Sequence, residues 1–152
     1  MNLADYLSVE QIVPKLSAPD RWATIDQLVD VLVRARKLRP EDREVVRKAV
    51  KDRETTKSTG IGYGIALPHA SVPAVEEVVV AFARLHPAVD FQALDSQPVT
   101  MCLLLLTPQG QFQQHLHALS TIARVLSDKA RRQSIESAAT ADEILALFRA
   151  AT

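Results

Sequence analysis

The stretch STGIGYGIALPHA, residues 58 to 70, gathers three of the chain's four glycines and one of its four histidines. Ser58 and Thr59 supply hydroxyls, and His69 follows Pro68, which removes a donor and stiffens the approach. The amides around Gly60, Ile61 and Gly62 suit an oxyanion, because glycine allows close backbone approach and positive φ, and successive amides form an anion-binding nest. Arg53, six residues before Thr59, is placed to make bidentate bonds to phosphoryl oxygens. The plain alternative is that the glycines only turn the chain and His69 is a structural hydrogen-bonder at a strand end.

Two nucleotide motifs are excluded. Gly60, Gly62 and Gly64 give G-x-G-x-G after a helical pattern and before a strand, the inverse of the dinucleotide fingerprint context. No Gly-Lys-Ser/Thr follows, and no lysine lies between Lys57 and Lys129 to serve a P-loop.

A second histidine would strengthen the chemical reading, and QHLHAL offers His115 and His117. At about 100° per residue they lie about 200° apart on a helix, so they cannot face one site together. His117 aligns with Thr121, Arg124 and Asp128, a solvated stripe; His115 aligns with Leu119, Ile122 and Leu126, the stripe that faces a core. His115 is therefore either a satisfied core histidine or part of a site at the start of a helix, where unpaired amides favour anions. His86, before Pro87, is expected in a structural loop after a strand. Zinc would need a third ligand that the sequence does not single out, so no metal or other cofactor is expected.

The elements that must position these residues read as follows. TIDQLVDVLVRARK, from Thr24, opens on a Thr-x-x-Gln capping box and carries an apolar stripe. A second helix is expected after Pro40, with Val45, Val46, Ala49 and Val50 as its stripe, running toward Arg53. YGIALPH, EVVVAFARL and PVTMCLLLL read as strands, the last two as strands buried on both faces. Helices are expected over Phe112–Ser127, within DKARRQSIESA, and from Thr140 with a Thr-x-x-Glu box at Glu143.

Helices before, between and after strands predict an α/β fold: one domain over residues 1–152, with a sheet sandwiched between helices in three layers. The chain is long and apolar enough, at 47% hydrophobic, for one core without staples. Eighteen basic residues balance eighteen acidic ones, which argues against nucleic acid or an anionic membrane as partner. Cys102, alone inside MCLLLL, reads as a core residue of a reducing compartment. No signal peptide or membrane span is evident, so a cytoplasmic location without membrane insertion is expected.

The run DRETTKSTGIGYGIALPHA closely resembles the histidine-centred signature of the fructose/mannitol-type IIA domains of the bacterial phosphoenolpyruvate-dependent phosphotransferase system. Arg-Glu, Ser/Thr-Gly, the spaced glycines and Ala-aliphatic-Pro-His with a small residue occur in order. The resemblance continues through FQALDSQPV and HLHALSTIARVLSDK, where it places the family's second active-site histidine on His115. It implies a mixed sheet between helices and a histidine phosphotransferase, a phosphoryl carrier whose phosphorylated residue is His69. The implied donor is an HPr-like phosphocarrier. Downstream, the resemblance leans toward the nitrogen-regulatory branch, whose targets would be a kinase or a potassium-transport component; the alternative is a sugar-specific component feeding a IIB domain, and no fused IIB or membrane domain is expected.

Overall fold

The computed structural model describes residues 1–151; Thr152, where the expected domain ends, lies outside them. Its strands are β1 (Ile12–Leu16), β2 (Gly60–Gly62), β3 (Ile65–Ala66), β4 (His69–Val72), β5 (Val79–Val89) and β6 (Val99–Pro108). Its helices are α1 (Arg21–Arg34), α2 (Arg43–Thr56), α3 (Phe112–Ser127), α4 (Lys129–Ser137) and α5 (Ala141–Arg149). The sheet runs β1-β5-β6-β3-β2, with β4 also on β6. It is mixed: β6 is antiparallel to β5 and parallel to both β3 and β4.

Alternation along the central strands sends side chains to two cores. Cys102, Leu104 and Leu106 of β6, with Ala81, Ala83 and Leu85 of β5, pack under α1 and α2. Met101, Leu103 and Leu105, with Val80 and Phe82, meet Ala118, Ile122, Val125 and Leu126 of α3 and Ile144 and Phe148 of α5. Residues 101–106 are each at most 1% exposed, so both faces of β6 are covered and the three-layer α/β expectation holds.

β3 and β4 lie end to end along one edge of β6, opposite Met101–Cys102 and Leu105–Pro108. Pro68 separates them, yet its carbonyl still accepts from the Leu105 amide at 3.0 Å, which keeps the broken strand in register. The alternation therefore puts Ile65, Leu67, His69 and Ser71 on the face toward α3, together with Thr107 of β6.

Several local expectations change. α1 starts at Arg21, because Asp20 is the N-cap, accepting from the Ala23 amide at 2.8 Å; Thr24 lies inside the helix and donates to the Asp20 carbonyl instead of capping. Val45 is 59% exposed, outside the buried stripe of α2 that holds Val46 and Val50. On α3 the buried stripe includes Thr121, while Leu119 is only half-buried: the core face is rotated by about one position relative to the expectation, toward Ala118 and Val125. Thr140 caps α5 by accepting from the Glu143 amide, but the Glu143 carboxylate returns to the Ala139 amide, so only half of the capping box forms. His86 lies within β5, which extends to Val89, rather than in a loop after it.

α1 and α2 are tied by ion pairs from Asp26 to Arg47 and Lys51, and from Asp30 to Arg43. Together with Val46 and Val50 in the core, these fix α2 on the sheet and hence the position of its last turn, which carries Arg53 and Glu54.

Candidate functional site

His69 begins β4, and its side chain lines a groove of about 470 Å³. The walls are Ser58, Thr59, Gly60 and Ile61 on one side and Leu116, Leu119, Ser120 and Ala123 of α3 on the other; Leu67 and Leu94 complete them. Two cations, Arg53 and Lys57, stand at the groove. Apolar walls with a few polar groups make a place where charge interactions are strong and water is displaced by an incoming partner.

The His69 ring is fixed by a hydrogen bond from Nδ1 to the Leu67 carbonyl, at 2.7 Å. A carbonyl only accepts, so Nδ1 carries the proton and Nε2 keeps its lone pair. Burial holds the His69 pKa below its ordinary value, opposed by the Leu67 hydrogen bond and aided by the positive charge of Arg53 and by His115. The ring is thus neutral at neutral pH, the state in which an imidazole is a nucleophile.

His115 sits in the first turn of α3, its ring centroid 5.3 Å from that of His69 with the planes tilted by 56°. Its Nδ1 is hydrogen-bonded to Thr107 Oγ1 at 2.5 Å and to Ser71 Oγ at 3.2 Å, and the two hydroxyls lie 3.0 Å apart. Burial, then Arg53, lowers its pKa as well. With Nδ1 occupied, Nε2 is the nitrogen left to meet a ligand at His69. His117, the rejected neighbour, is exposed and pairs with the N-terminal ammonium at 3.3 Å.

The glycine turn departs from the expected nest. The Thr59 amide and hydroxyl donate to the two oxygens of the Glu54 carboxylate, at 2.8 and 2.5 Å. The Gly60 amide donates to Ser58 Oγ at 3.0 Å, while the Ser58 hydroxyl donates to the Phe91 carbonyl. These donors hold the loop's shape instead of waiting for an anion. Gly60 is required by contact, because a Cβ there would lie 2.7 Å from the Ala93 Cβ. Gly62 does not line the groove; with φ +96° it belongs to the β2–β3 hairpin, whose Tyr63 amide donates to Asp95 Oδ2. Of the expected phosphoryl-binding residues, Ser58, Thr59, Gly60 and Ile61 reach the groove as its wall.

Arg53, in the last turn of α2, donates through Nη1 to the Lys57 carbonyl at 2.8 Å, which aims its guanidinium along the groove rim. Sequence reasoning missed Glu54, Lys57, Ser71 and Thr107. Ser71 and Thr107 were findable as the next same-face positions after His69 and Leu105, whereas Glu54, one residue past Arg53 and so on another face of α2, carried no such signal. Among the described residues no cluster of three or more metal-ligating side chains occurs, and no helix is long and apolar enough to cross a membrane.

The family described as phosphoenolpyruvate-dependent sugar phosphotransferase system, EIIA 2, matches residues 5–151. The chain is 32% identical over 148 residues to the nitrogen regulatory protein of Bradyrhizobium diazoefficiens, covering 97% of this chain and 95% of that one. It is 33% identical over 145 residues to the fructose-specific EIIABC component of Bacillus subtilis, covering 95% of this chain and 22% of the relative. Its fold is similar to that of the nitrogen regulatory protein IIA-Ntr from Neisseria meningitidis, with a TM-score of 0.87 and 29% identity across 96% of this chain and 98% of that one.

Proposed function

The chain belongs to the phosphoenolpyruvate-dependent sugar phosphotransferase system EIIA 2 family, as a phosphoryl carrier of that system, and we propose that the phosphoryl group is carried on His69 Nε2. The observation that carries this is the Nδ1 bond to the Leu67 carbonyl, which leaves the other ring nitrogen as the only nucleophilic atom of His69 in a groove with two cations. The donor is a phosphohistidine on an HPr-like phosphocarrier in the cytoplasm. His69 Nε2 supplies its lone pair to phosphorus, the donor's P–N bond breaks, and the donor imidazole leaves with that electron pair.

Arg53 and Lys57 stabilise the three equatorial oxygens as they spread charge, and His115 Nε2 approaches them from α3. The loop from Ser58 to Ile61 shapes the wall that aligns the incoming group. P–N bonds of similar strength are exchanged, so alignment rather than bond energy sets the barrier.

The output is regulatory in this reading, toward a kinase or a potassium-transport component, supported by the likeness to nitrogen regulatory proteins over nearly the whole chain. A sugar-specific role, handing the group to a IIB domain, is supported by the comparable identity to the fructose-specific relative. Incubation with phosphoenolpyruvate, enzyme I and the carrier yields acid-labile phosphate on the wild type and none on His69→Ala; label persisting in that variant overturns the assignment. Recovery of a IIB domain in a pull-down with the phosphorylated chain would replace the regulatory output by the transport one.

A further inference from the structure

The proton on His69 Nδ1 is set by one carbonyl, and that carbonyl is the last member of a chain of hydrogen bonds that starts on α2. Glu54 is 1% exposed, and its carboxylate accepts from both donors of Thr59, with Arg21 Nη1 3.6 Å away. The Thr59 carbonyl in turn accepts from the Leu67 amide at 3.0 Å. The Leu67 carbonyl then accepts from His69 Nδ1 at 2.7 Å. The links run from 2.5 to 3.0 Å between buried or half-buried residues, where such bonds are strong and misalignment is costly.

Glu54 and Arg53 are successive residues of α2 with divided roles: Arg53 lines the groove, whereas Glu54 reaches the loop behind it. A buried carboxylate is expensive unless satisfied, so its place beside the groove calls for an explanation other than packing. Resting on the reading of His69 as the phosphoryl acceptor, we propose that Glu54 is a positioning residue that, through Thr59 and Leu67, keeps the proton of His69 on Nδ1 and so keeps Nε2 free to accept the phosphoryl group. No proton moves along this chain. Glu54 fixes where the Thr59 peptide lies, the peptide fixes the Leu67 amide, and the Leu67 carbonyl is thereby held within hydrogen-bond distance of His69 Nδ1.

The substitution Glu54→Gln retains the volume but turns an NH₂ toward one of the two Thr59 donors. Long-range ¹H–¹⁵N spectra of the histidine-labelled full chain, recorded without any phosphoryl donor, read the tautomer directly. Wild type is expected as the Nδ1–H form; in Glu54→Gln the ratio of Nε2–H to Nδ1–H rises about tenfold, the scale of losing one net hydrogen bond. Thr59→Val, which removes the hydroxyl, shifts the ratio in the same direction, and Thr59→Ser returns it to wild type. His117, remote from the chain of bonds, serves as the internal sign that the fold is intact. With the carrier, Glu54→Gln loses transfer rate at saturation while carrier affinity is retained.

A wild-type tautomer in folded Glu54→Gln and Thr59→Val overturns the proposal; should Glu54→Gln not fold, the Thr59→Val and Thr59→Ser pair decides alone. Absence of label on wild-type His69 with the carrier would instead refute His69 as acceptor, and would leave the tautomer result standing.

Discussion

The contact between the glycine turn and the loop after β5 can be tested by a pair of alanines that separate crowding from backbone strain. At Gly60 an added Cβ would sit 2.7 Å from the Ala93 Cβ and 2.9 Å from its Cα, about 1 Å inside ordinary carbon contact. Gly60 does not have a positive φ, so the cost is steric, about 1–3 kcal/mol, less about 0.5 kcal/mol from a stiffer unfolded chain. At Gly110 the case is reversed: φ is +81° and no atom lies within 4 Å, so alanine costs only backbone strain, about 1–2 kcal/mol. Urea unfolding of the two single variants thus gives similar losses. Their double variants with Ala93→Gly do not, because removing the Ala93 Cβ recovers about 1 kcal/mol in the Gly60→Ala background and nothing in the Gly110→Ala background. The rescue is partial, since the Ala93 Cα remains close. Only Gly60→Ala slows labelling of His69, because the displaced strand carries the Gly60 carbonyl that the Leu94 amide now reaches at 3.1 Å. A Gly60→Ala loss within 0.5 kcal/mol of zero, or equal coupling of Ala93→Gly to both glycines, would refute the reasoning.

Three further outcomes follow from the geometry. His115→Ala binds the carrier almost as wild type does but transfers about 10²-fold more slowly, measured by rapid-quench labelling; unchanged transfer would make His115 structural. Arg36 ends α1 with φ +61° at the position where a Schellman turn favours glycine, its motif closed by the Lys37 amide on the Leu32 carbonyl, so Arg36→Gly raises stability by about 1 kcal/mol in urea unfolding. The lowered pKa values of His69 and His115, caused first by burial, make the unfolded chain bind more protons than the folded one just below pH 6.5; stability contributed above the unfolded value of 6.5 is lost as pH falls through the folded values. Unfolding midpoints between pH 8 and pH 5 should therefore fall less steeply in His69→Ala than in wild type.

What the sequence made legible depended mostly on periodicity, although Val45 and the exact core face of α3 departed from it. The 3.6-residue period of α3 separated His115 from His117, and the structure places one ring 5.3 Å from His69 and the other on the N-terminus. Continuous apolar runs identified β5 and β6 for the same reason: a strand covered on both faces has no polar side to show. What depends on three-dimensional partners was hidden. The Thr59 hydroxyl and amide looked available to an anion because nothing in a linear chain says that Glu54, five residues back and one helix away in conformation, accepts both. Likewise Asp20 outcompeted Thr24 as a cap through the direction in which the chain enters α1, which Asp20 alone adopts in extended form.

The division of the turn's donors changes how the site must work. Had the amides of Thr59 and Gly60 been free, the oxyanion would be bound by the backbone and the histidine merely presented to it. With those donors committed to Glu54 and Ser58, the proposed site would draw its positive charge from Arg53 of α2 and Lys57 of the connector, with His115 of α3, its pKa lowered, as a further polar group. On that reading the phosphoryl group would be held by fewer fixed donors than in a nest, which suits a carrier, since a group held too firmly is not passed on. Rigidity is then the loop's contribution, and it is why crowding at Gly60 should be felt in rate as well as in stability.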